Sequence, residues 1–422
     1  MRIESLLADK RCHVLAFALF SLLMVEEYVR FVYGSFSYLG FDYSPSYRTV
    51  ILGIVFWGLA VLRLFALPAS SGMAYALSLF EAMAFCVPSI VMFQLGGTSI
   101  WLPVYSLLFL FLLSSNILQL PSLRLPKVPD SCQRWLLPLL ALLLTVPFIV
   151  AYGLDINWNA FTLGSDNYEL RAQSNARSTL LTSYLLGALS KVLLPVMTVY
   201  GLKHRKPLLW IFGILLMLYI FAVNPQKSLL FSVFVVIVFY FLDDCRAKGG
   251  LMLCAVSALL LAAVAINVLT GNIMVESIAL RRMFFVPVLV ADNYFTFYNQ
   301  SPLFLSHSFL SRWMDYSYSL APDRLMGLLM YNRTFTHCNT GVIADGFMNF
   351  GHLGAFFFVL VAALIFKFFE ALKLSSAYFG VLFLYLFTLL NGALFTSLLT
   401  HGGLVLILVA MLFIPQTNPD KC

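Results

Sequence analysis

The sequence predicts an all-α, polytopic membrane protein. Of its 422 residues, 61% are hydrophobic and 11% are charged, and the mean hydropathy is +0.91. This composition is far from that of a soluble globular protein. A mostly apolar stretch of roughly 17 to 25 residues can cross about 30 Å of hydrocarbon, and the chain contains about twelve such stretches. We therefore expect about twelve transmembrane helices in a single integral membrane domain, residues 1–422.

The predicted spans follow one another with mostly short connections. They lie near residues 12–32, 49–67, 74–95, 99–119, 135–153, 179–201, 208–223, 228–242, 250–270, 341–366, 376–394 and 399–415. The N-terminal segment has a basic start and an apolar run, but no small-residue cleavage site follows it. We interpret it as a retained first span.

Basic residues in the short connections indicate the orientation, because such residues stay on the cytoplasmic side. Arg2, Lys10 and Arg11 precede the first span, and the sequence KHRK at 203–206 follows the sixth. Both clusters are cytoplasmic if both termini are. The net charge of +7 therefore reflects topology, and we expect no nucleic-acid partner.

Two connections are long, residues 154–179 and 271–340, and this orientation places both on the outer face. Of the basic positions on the outer face, nearly all are arginines, namely Arg171, Arg177, Arg281, Arg282, Arg312, Arg324 and Arg333. A guanidinium stays charged and binds phosphate or carboxylate oxygens by paired, directional hydrogen bonds. Alternatively, these arginines extend to lipid headgroups or pair with Asp166, Glu169 or Asp292.

The second long connection is rich in aromatic residues, and no part of it is long enough to cross a membrane. We expect it to form short helices along the membrane surface. Tyr294, Phe297 and Tyr298 recur at helical spacing, which predicts one aromatic face. Such a face suits sugar rings, and an interfacial aromatic belt is the alternative.

Polar residues continue from this connection into the next span. On a helix, Asp345, Asn349 and His352 form one stripe about 10 Å long that points away from lipid. Polar groups at membrane depth usually face an internal cavity, although the stripe could serve only to join helices. Elsewhere in the spans, Glu81 and Lys191 have no assignable partner, and we favour the interpretation that they brace helices.

Familiar signatures of soluble enzymes are absent. The sequence has no Gly-rich phosphate loop ending in Lys-Ser or Lys-Thr, no His-Glu-x-x-His and no Gly-x-Ser-x-Gly. Its six histidines are too dispersed to indicate a metal site, and its seven cysteines include no Cys-x-x-Cys. The sequence therefore requires neither a metal nor a cofactor.

Three segments resemble the bacterial O-antigen polymerases, the Wzy-type oligosaccharide repeat-unit polymerases. The segment YELRAQSNARSTLLTSYLLG is similar to their first periplasmic motif, in which an arginine precedes a glycine by sixteen positions, here Arg171 and Gly187. The segment ALRRMFFVP with the following YFTFY resembles the start of their second loop, and NTGVIADGFMNFGHLG resembles the next span. One departure is that no glycine follows Arg282 until Gly327, so the arginine–glycine spacing of the second loop is missing.

This resemblance implies a membrane-embedded glycosyltransferase of the GT-C type in the bacterial inner membrane, with its active site facing the periplasm. Its substrates would be polyprenyl-pyrophosphate-linked oligosaccharides within membrane lipids, and a chain-length regulator is a conceivable partner. Arg171, Arg177, Arg281 and Arg282 would hold the pyrophosphates of donor and acceptor. Six residues on a helix correspond to about 240° of rotation, so Arg171 and Arg177 cannot both face one phosphate if their segment is a single helix.

The acceptor hydroxyl needs a base, and His337 is the first candidate. It combines an imidazole with a position at the junction of loop and span. Asp345, Asp292 and Glu169 are alternatives, and His337 could instead be an ordinary loop histidine. Tyr294 and Tyr298 are the candidate sugar-binding residues.

Two other functions compete with polymerisation. A flippase for lipid-linked oligosaccharides would also have about twelve spans and pyrophosphate-binding cations, but deep in a central cavity and with short loops. An O-antigen ligase would share the donor and the large outer loop and would use lipopolysaccharide core as the acceptor. The long arginine-rich outer loops argue against the flippase, and the resemblance of the Arg171–Gly187 motif and of residues 281–298 favours the polymerase over the ligase.

Overall fold

The computed structural model describes residues 2–67, 72–154, 156, 158–162 and 167–416. These residues are predominantly helical and contain no β-strand, only an isolated bridge between Leu374 and Gln416. The prediction of an all-α fold is therefore confirmed for the described chain.

The helices coincide with the predicted apolar segments. Among the described residues, seven helices are long and apolar enough to cross a membrane: Lys10–Leu39, Tyr47–Phe65, Gly72–Gly96, Asp130–Tyr152, Leu180–Lys203, Cys245–Thr270 and Val342–Ala371. The other predicted spans correspond to shorter apolar helices, Trp101–Ser114, Pro207–Val223, Lys227–Tyr240, Ser376–Asn391 and Gly403–Leu412. The chain is a multi-pass membrane protein.

Large apolar side chains on the outer faces of the helices agree with a lipid environment. On helix Tyr47–Phe65, Leu62 is 70% exposed, and on helix Asp130–Tyr152, Val150 is 80% exposed. Exposed apolar surface of this kind is unfavourable in water and favourable against lipid chains.

The contacts divide the helices into two compact units. The first comprises residues 1–119, 244–367 and 389–394, and the second comprises residues 120–243, 368–388 and 395–422. The first unit contains the second long connection, and the second unit contains the first.

An ion cluster in the first unit, with two of its carboxylates buried, joins the first span to the second long connection. Arg30 pairs with Glu26 at 3.4 Å, as their helical spacing allows, and also with Glu27 and Glu276 at 2.5 and 2.6 Å. Both additional carboxylates are almost completely buried, and Glu276 also accepts a hydrogen bond from Asn267 at 2.8 Å. This cluster fixes the beginning of the segment that carries Arg281 and Arg282.

That segment is a longer helix than the short interfacial helices that the sequence predicts. Ile273–Glu276, Ser277–Phe285 and Val286–Tyr298 follow one another without interruption, and Ser277–Phe285 has π-helical geometry. We call residues 273–298 the loop helix. Wide turns of this type are frequent at functional sites.

Helix Val342–Ala371 is broken at Phe350 and Gly351, where Gly351 has a φ of 62°. The chain folds back so tightly that a Cβ on Gly346 would lie 2.4 Å from the carbonyl oxygen of Gly354. In a continuous helix, residues eight apart are separated by about 12 Å. The expected polar stripe is therefore interrupted, and the prediction is wrong for His352.

The break leaves backbone carbonyl oxygens at the end of the first half of helix Val342–Ala371 without partners in that helix. Residues of the second long connection donate hydrogen bonds to them. The backbone N–H groups of Leu303 and Phe304 donate to the carbonyl oxygens of Met348 and Asn349 at 2.9 and 3.0 Å. This pairing satisfies carbonyls that a helix end leaves without intrahelical partners.

Glu81 has the bracing contact that the sequence analysis favours. It is buried, and its carboxylate accepts a hydrogen bond from the Ser106 hydroxyl at 2.5 Å. The contact joins helices Gly72–Gly96 and Trp101–Ser114.

Candidate functional site

The local fold around His337 returns the chain to a carboxylate that precedes it by fourteen residues. Helix Pro322–Tyr331 begins with a proline at its first turn and ends at Asn332, which has a left-handed φ of 52°. Gly327 allows the returning chain to lie against the helix, since a Cβ there would be 2.0 Å from the carbonyl oxygen of Thr336. His337 is consequently placed beside Asp323 in the first turn.

His337 and Asp323 form an exposed imidazole–carboxylate pair. His337 Nδ1 hydrogen-bonds Asp323 Oδ2, and the side chains are 50% and 26% exposed. The backbone N–H of Cys338 donates to the carbonyl oxygen of Asp323 at 3.0 Å, which holds the returning segment against the first turn of helix Pro322–Tyr331. A carboxylate on Nδ1 favours the tautomer that leaves Nε2 able to accept a proton. The pair therefore has the arrangement of a general base.

Arg281 on the loop helix is a part-buried cation. Its guanidinium lies over the Phe36 ring at 4.2 Å, and its Nε donates to the Ser277 hydroxyl at 3.1 Å. No carboxylate among the described residues forms an ion pair with it. Burial lowers its pKa, and the like charge of Arg282 lowers it further. An anionic ligand would relieve both effects.

The loop helix that carries Arg281 and Arg282 contacts the segment that carries His337. The Tyr294 hydroxyl, near the far end of that helix, donates to the carbonyl oxygen of Cys338, the neighbour of His337, at 3.1 Å. The first unit therefore contains two cations and a candidate base on segments that touch each other.

The alternative bases Asp345 and Asp292 have structural partners. Asp345 is 2% exposed and accepts hydrogen bonds from the Leu394 backbone N–H at 2.8 Å and from the Asn349 amide at 3.0 Å. Asp292 accepts a hydrogen bond from the Ser99 backbone N–H at 2.8 Å, and burial raises its pKa. Each carboxylate is engaged by a backbone donor, which favours a role in holding segments together.

Tyr294 and Tyr298 are on one helical face, as their spacing predicts, but that face is directed inward. Their side chains are 1% and 0% exposed, so neither ring presents a surface to a sugar in this structure. The Tyr294 hydroxyl instead donates to the carbonyl oxygen of Cys338 at 3.1 Å. Tyr294 thus supports the segment that carries His337.

An exposed aromatic group lies elsewhere in the first unit. Trp101 is 43% exposed, its ring centroid is 4.4 Å from that of His352, and Tyr105 stacks beside it at 5.9 Å. Tyr105 also donates a hydrogen bond to the backbone carbonyl of His352 at 3.1 Å. The spacing of Trp101 and Tyr105, four residues apart on a helix, was the available sequence signal. The Trp101 ring can stack against a sugar, unlike Tyr294 and Tyr298, whereas Tyr105, at 6% exposed, supports it from behind.

The remaining predicted residues belong to the second unit. Glu169, Arg171 and Arg177 lie on the single helix Asn167–Arg177, which we call the arginine helix, and all three are exposed. Within the described chain, no hydrogen bond or ion pair is made by their side chains, and Asp166 lies outside the described residues. The single helix means that Arg171 and Arg177 point in different directions and cannot hold one phosphate together.

Comparison of the chain with protein-family models, with curated proteins and with solved structures gives no match. The arrangement of these side chains is therefore the basis on which a function is inferred.

Proposed function

We propose that the chain is an O-antigen-type oligosaccharide repeat-unit polymerase, a GT-C-like glycosyltransferase with about twelve spans at the periplasmic face of the bacterial inner membrane. The observation that carries this proposal is the presence, in one compact unit, of an imidazole–carboxylate pair and of Arg281, a cation without a carboxylate partner among the described residues. Glycosyl transfer from a lipid pyrophosphate needs a proton acceptor and a positive charge close to each other.

The reaction assigns one task to each group. A hydroxyl of the incoming lipid-linked repeat unit attacks the anomeric carbon of the growing glycan. Its proton passes to His337 Nε2, while Asp323 stabilises the imidazolium that forms. The new glycosidic bond forms as the bond from the anomeric carbon to the pyrophosphate oxygen breaks, and the polyprenyl pyrophosphate leaves as an anion.

The arginines act on the leaving group. Pyrophosphate needs no proton to depart, but negative charge accumulates on its oxygens in the transition state. Arg281 is held against Phe36 and Ser277 in one orientation, so its charge is positioned before the reaction begins. A positioned cation in a site with little water stabilises such charge much more than an exposed one does.

A transport function has one observation in its favour. Lys191 lies near the middle of helix Leu180–Lys203 and has no carboxylate partner among the described residues. A flippase would use cations at this depth. The exposed base and the arginine-rich connections have no corresponding task in a flippase, and we therefore place polymerisation first.

The direct test is the surface lipopolysaccharide of a bacterial strain that lacks only this gene. We expect core that carries a single repeat unit and no ladder, because transport and ligation remain intact. Core without any repeat unit would instead indicate flipping or ligation. An unchanged ladder would contradict a role in this glycan.

Complementation then tests the site. The His337→Ala and Arg281→Met variants should accumulate in the membrane and fail to restore the ladder. Arg324→Met is the matched control, since Arg324 is exposed in the same connection and no hydrogen bond or ion pair is described for it. A normal ladder with Arg281→Met would remove that arginine from the mechanism.

A further inference from the structure

The second unit contains a part-buried cation, Lys191, whose surroundings do not fit a bracing role. Its described hydrogen bond is a long one, 3.4 Å from Nζ to the Thr388 hydroxyl. Thr388 uses its own proton to donate to the Leu384 carbonyl at 2.8 Å. An ammonium has three N–H donors, so most of its hydrogen-bonding capacity is unused within the described chain. A helix brace would be expected to use it.

The backbone opposite Lys191 is interrupted. Helix Leu394–Leu399 ends, Thr400, His401 and Gly402 form a short turn, and helix Gly403–Leu412 begins. Gly402 has a left-handed φ of 88° and, as the residue that precedes the second helix, has no side chain to accept from the first N–H groups. Interrupted helices at membrane depth are tolerated where they line a site, and their N-terminal ends favour anions.

Glycines bring this interruption directly against the lysine helix. A Cβ on Gly187 would lie 2.5 Å from His401 Cα and 2.5 Å from the Thr400 carbonyl oxygen, and a Cβ on Gly402 would lie 3.0 Å from Ala188 Cα. Residues four apart share one helix face, so Lys191 and Gly187 face the same turn. The turn Ala188–Leu193 that contains Lys191 has π-helical geometry, a feature that is frequent at functional sites.

Two polar groups at the interruption have no partner. The Nδ1 atom of His401 and the hydroxyl oxygen of Ser397 are buried without a hydrogen bond in the described chain, and Ser397 is 0% exposed. Buried polar atoms without partners are rare in folded proteins and call for a ligand or another specific reason.

We infer that Lys191, His401 and the turn at Gly402 form a binding site for a phosphate or pyrophosphate ester within the membrane. The ammonium supplies the charge, while the imidazole N–H and the first N–H groups of helix Gly403–Leu412 donate hydrogen bonds to the oxygens. The ligand we assign is the pyrophosphate of the lipid carrier, and this assignment rests on the proposed function. A phospholipid headgroup offers the same chemistry and is the other source to be tested.

Thermal unfolding of the purified protein separates a ligand site from a brace. Without ligand, Lys191→Met should raise the unfolding temperature, because a desolvated cation with no carboxylate is replaced by an apolar side chain of similar shape. Lys206→Met, at an exposed position of the same unit, should leave it unchanged. A lower unfolding temperature for Lys191→Met would support bracing and overturn the inference.

Binding of farnesyl pyrophosphate to the protein in neutral-lipid nanodiscs tests the ligand. The measurements use an Arg281→Met background, so that the first unit contributes little. Lys191→Met should weaken the dissociation constant about tenfold to a hundredfold, as expected for loss of a charged hydrogen bond. His401→Ala should weaken it less, and Lys191→Arg should retain most of the affinity. Equal binding by the Lys191→Met variant would overturn the site.

Two further experiments distinguish the source of the phosphate ligand and separate the binding site from the proposed function of the chain. When the protein is in phosphatidylglycerol nanodiscs, the lipid headgroups should compete only weakly with farnesyl pyrophosphate. Full competition would overturn the assignment of the lipid carrier and would favour a headgroup as the ligand. If Lys191→Met lost farnesyl pyrophosphate binding but deletion of the gene left the glycan ladder unchanged, the binding site would stand and the polymerase proposal would fail. If deletion of the gene removed the ladder but Lys191→Met bound farnesyl pyrophosphate normally, the polymerase proposal would stand and the binding site would fail.

Discussion

Replacement of Asp323 by asparagine tests whether this carboxylate orients the His337 imidazole for catalysis. The substitution preserves size and removes the charge that stabilises the imidazolium. In serine proteases, the same substitution of a buried aspartate lowers kcat about 10⁴-fold. Here Asp323 is 26% and His337 is 50% exposed, so water competes for both groups. We therefore expect the rate of glycan transfer to fall about 10- to 100-fold, which is about 1.4 to 2.7 kcal/mol of activation free energy.

His337→Ala should lower the rate of glycan transfer more than Asp323→Asn does, because it removes the proton acceptor itself. A positioned general base contributes about 10²- to 10⁴-fold. Since Asp323 acts through His337, the double variant should be no slower than His337→Ala alone. An exposed ion pair contributes only about 0 to 1 kcal/mol to stability, so the unfolding temperatures should remain close to that of the unmodified protein.

The assay is polymerisation of purified lipid-linked repeat units in detergent, followed by gel electrophoresis over time. Asp315→Asn is the control, since Asp315 is exposed in the same connection and no hydrogen bond or ion pair is described for it. If the two losses multiply in the double variant, Asp323 does not act through the imidazole. A normal rate for Asp323→Asn would refute the reasoning outright.

Three further predictions address other parts of the chain. Arg171→Lys should restore the glycan ladder poorly, because an ammonium lacks the paired donors of a guanidinium; a full ladder in the complemented strain would indicate that charge alone suffices. Gly187→Ala should lower stability by about 1 to 3 kcal/mol through its clash with the backbone at Thr400 and His401, whereas Gly58→Ala, which meets nothing within 4 Å, should be neutral or slightly stabilising in denaturation measurements. Asp345→Ala should cost about 1 to 3 kcal/mol by leaving the Leu394 N–H without an acceptor, and Asp345→Asn should cost less; if Asp345→Asn were as stable as the unmodified protein but inactive, the carboxylate would have a chemical role.

The features that depend on local composition could be predicted from the sequence. Apolar runs of sufficient length identify the helices, since hydrophobicity summed over a membrane-spanning window is a local quantity. The pairing of Glu26 with Arg30 and the helical character of residues 294–298 follow from spacing in the same way. Even so, spacing shows only which residues share a face. It does not show whether that face is directed inward, and for Tyr294 and Tyr298 the face belongs to the core.

The features that sequence reasoning missed depend on contacts between distant segments. Glu276 meets Arg30 across 246 positions, and Asp345 meets Leu394 across 49. The break at Phe350 and Gly351 lies inside a predicted span, and hydrophobicity averaged over a whole span does not locate it. The Asp323–His337 pair had a partial signal, because Pro322, Asp323 and Asn332 mark a helix that could return the chain.

The number of anion sites bears on the choice among the three functions. A polymerase binds two lipid-linked substrates at once, and both carry pyrophosphate, so it needs two separate places for that group. Arg281 in the first unit and Lys191 in the second are cations without carboxylate partners in the described chain, and each is too enclosed to serve merely as a solubilising charge. A flippase carries one lipid-linked molecule in each cycle, and a ligase draws on one such donor. If the two sites bind pyrophosphate independently, with variants of Arg281 and Lys191 each removing one equivalent of ligand, the stoichiometry itself favours polymerisation. If the unmodified protein instead binds a single equivalent, and mutation of either residue abolishes that binding, the two cations act on the same molecule and the transport interpretation gains.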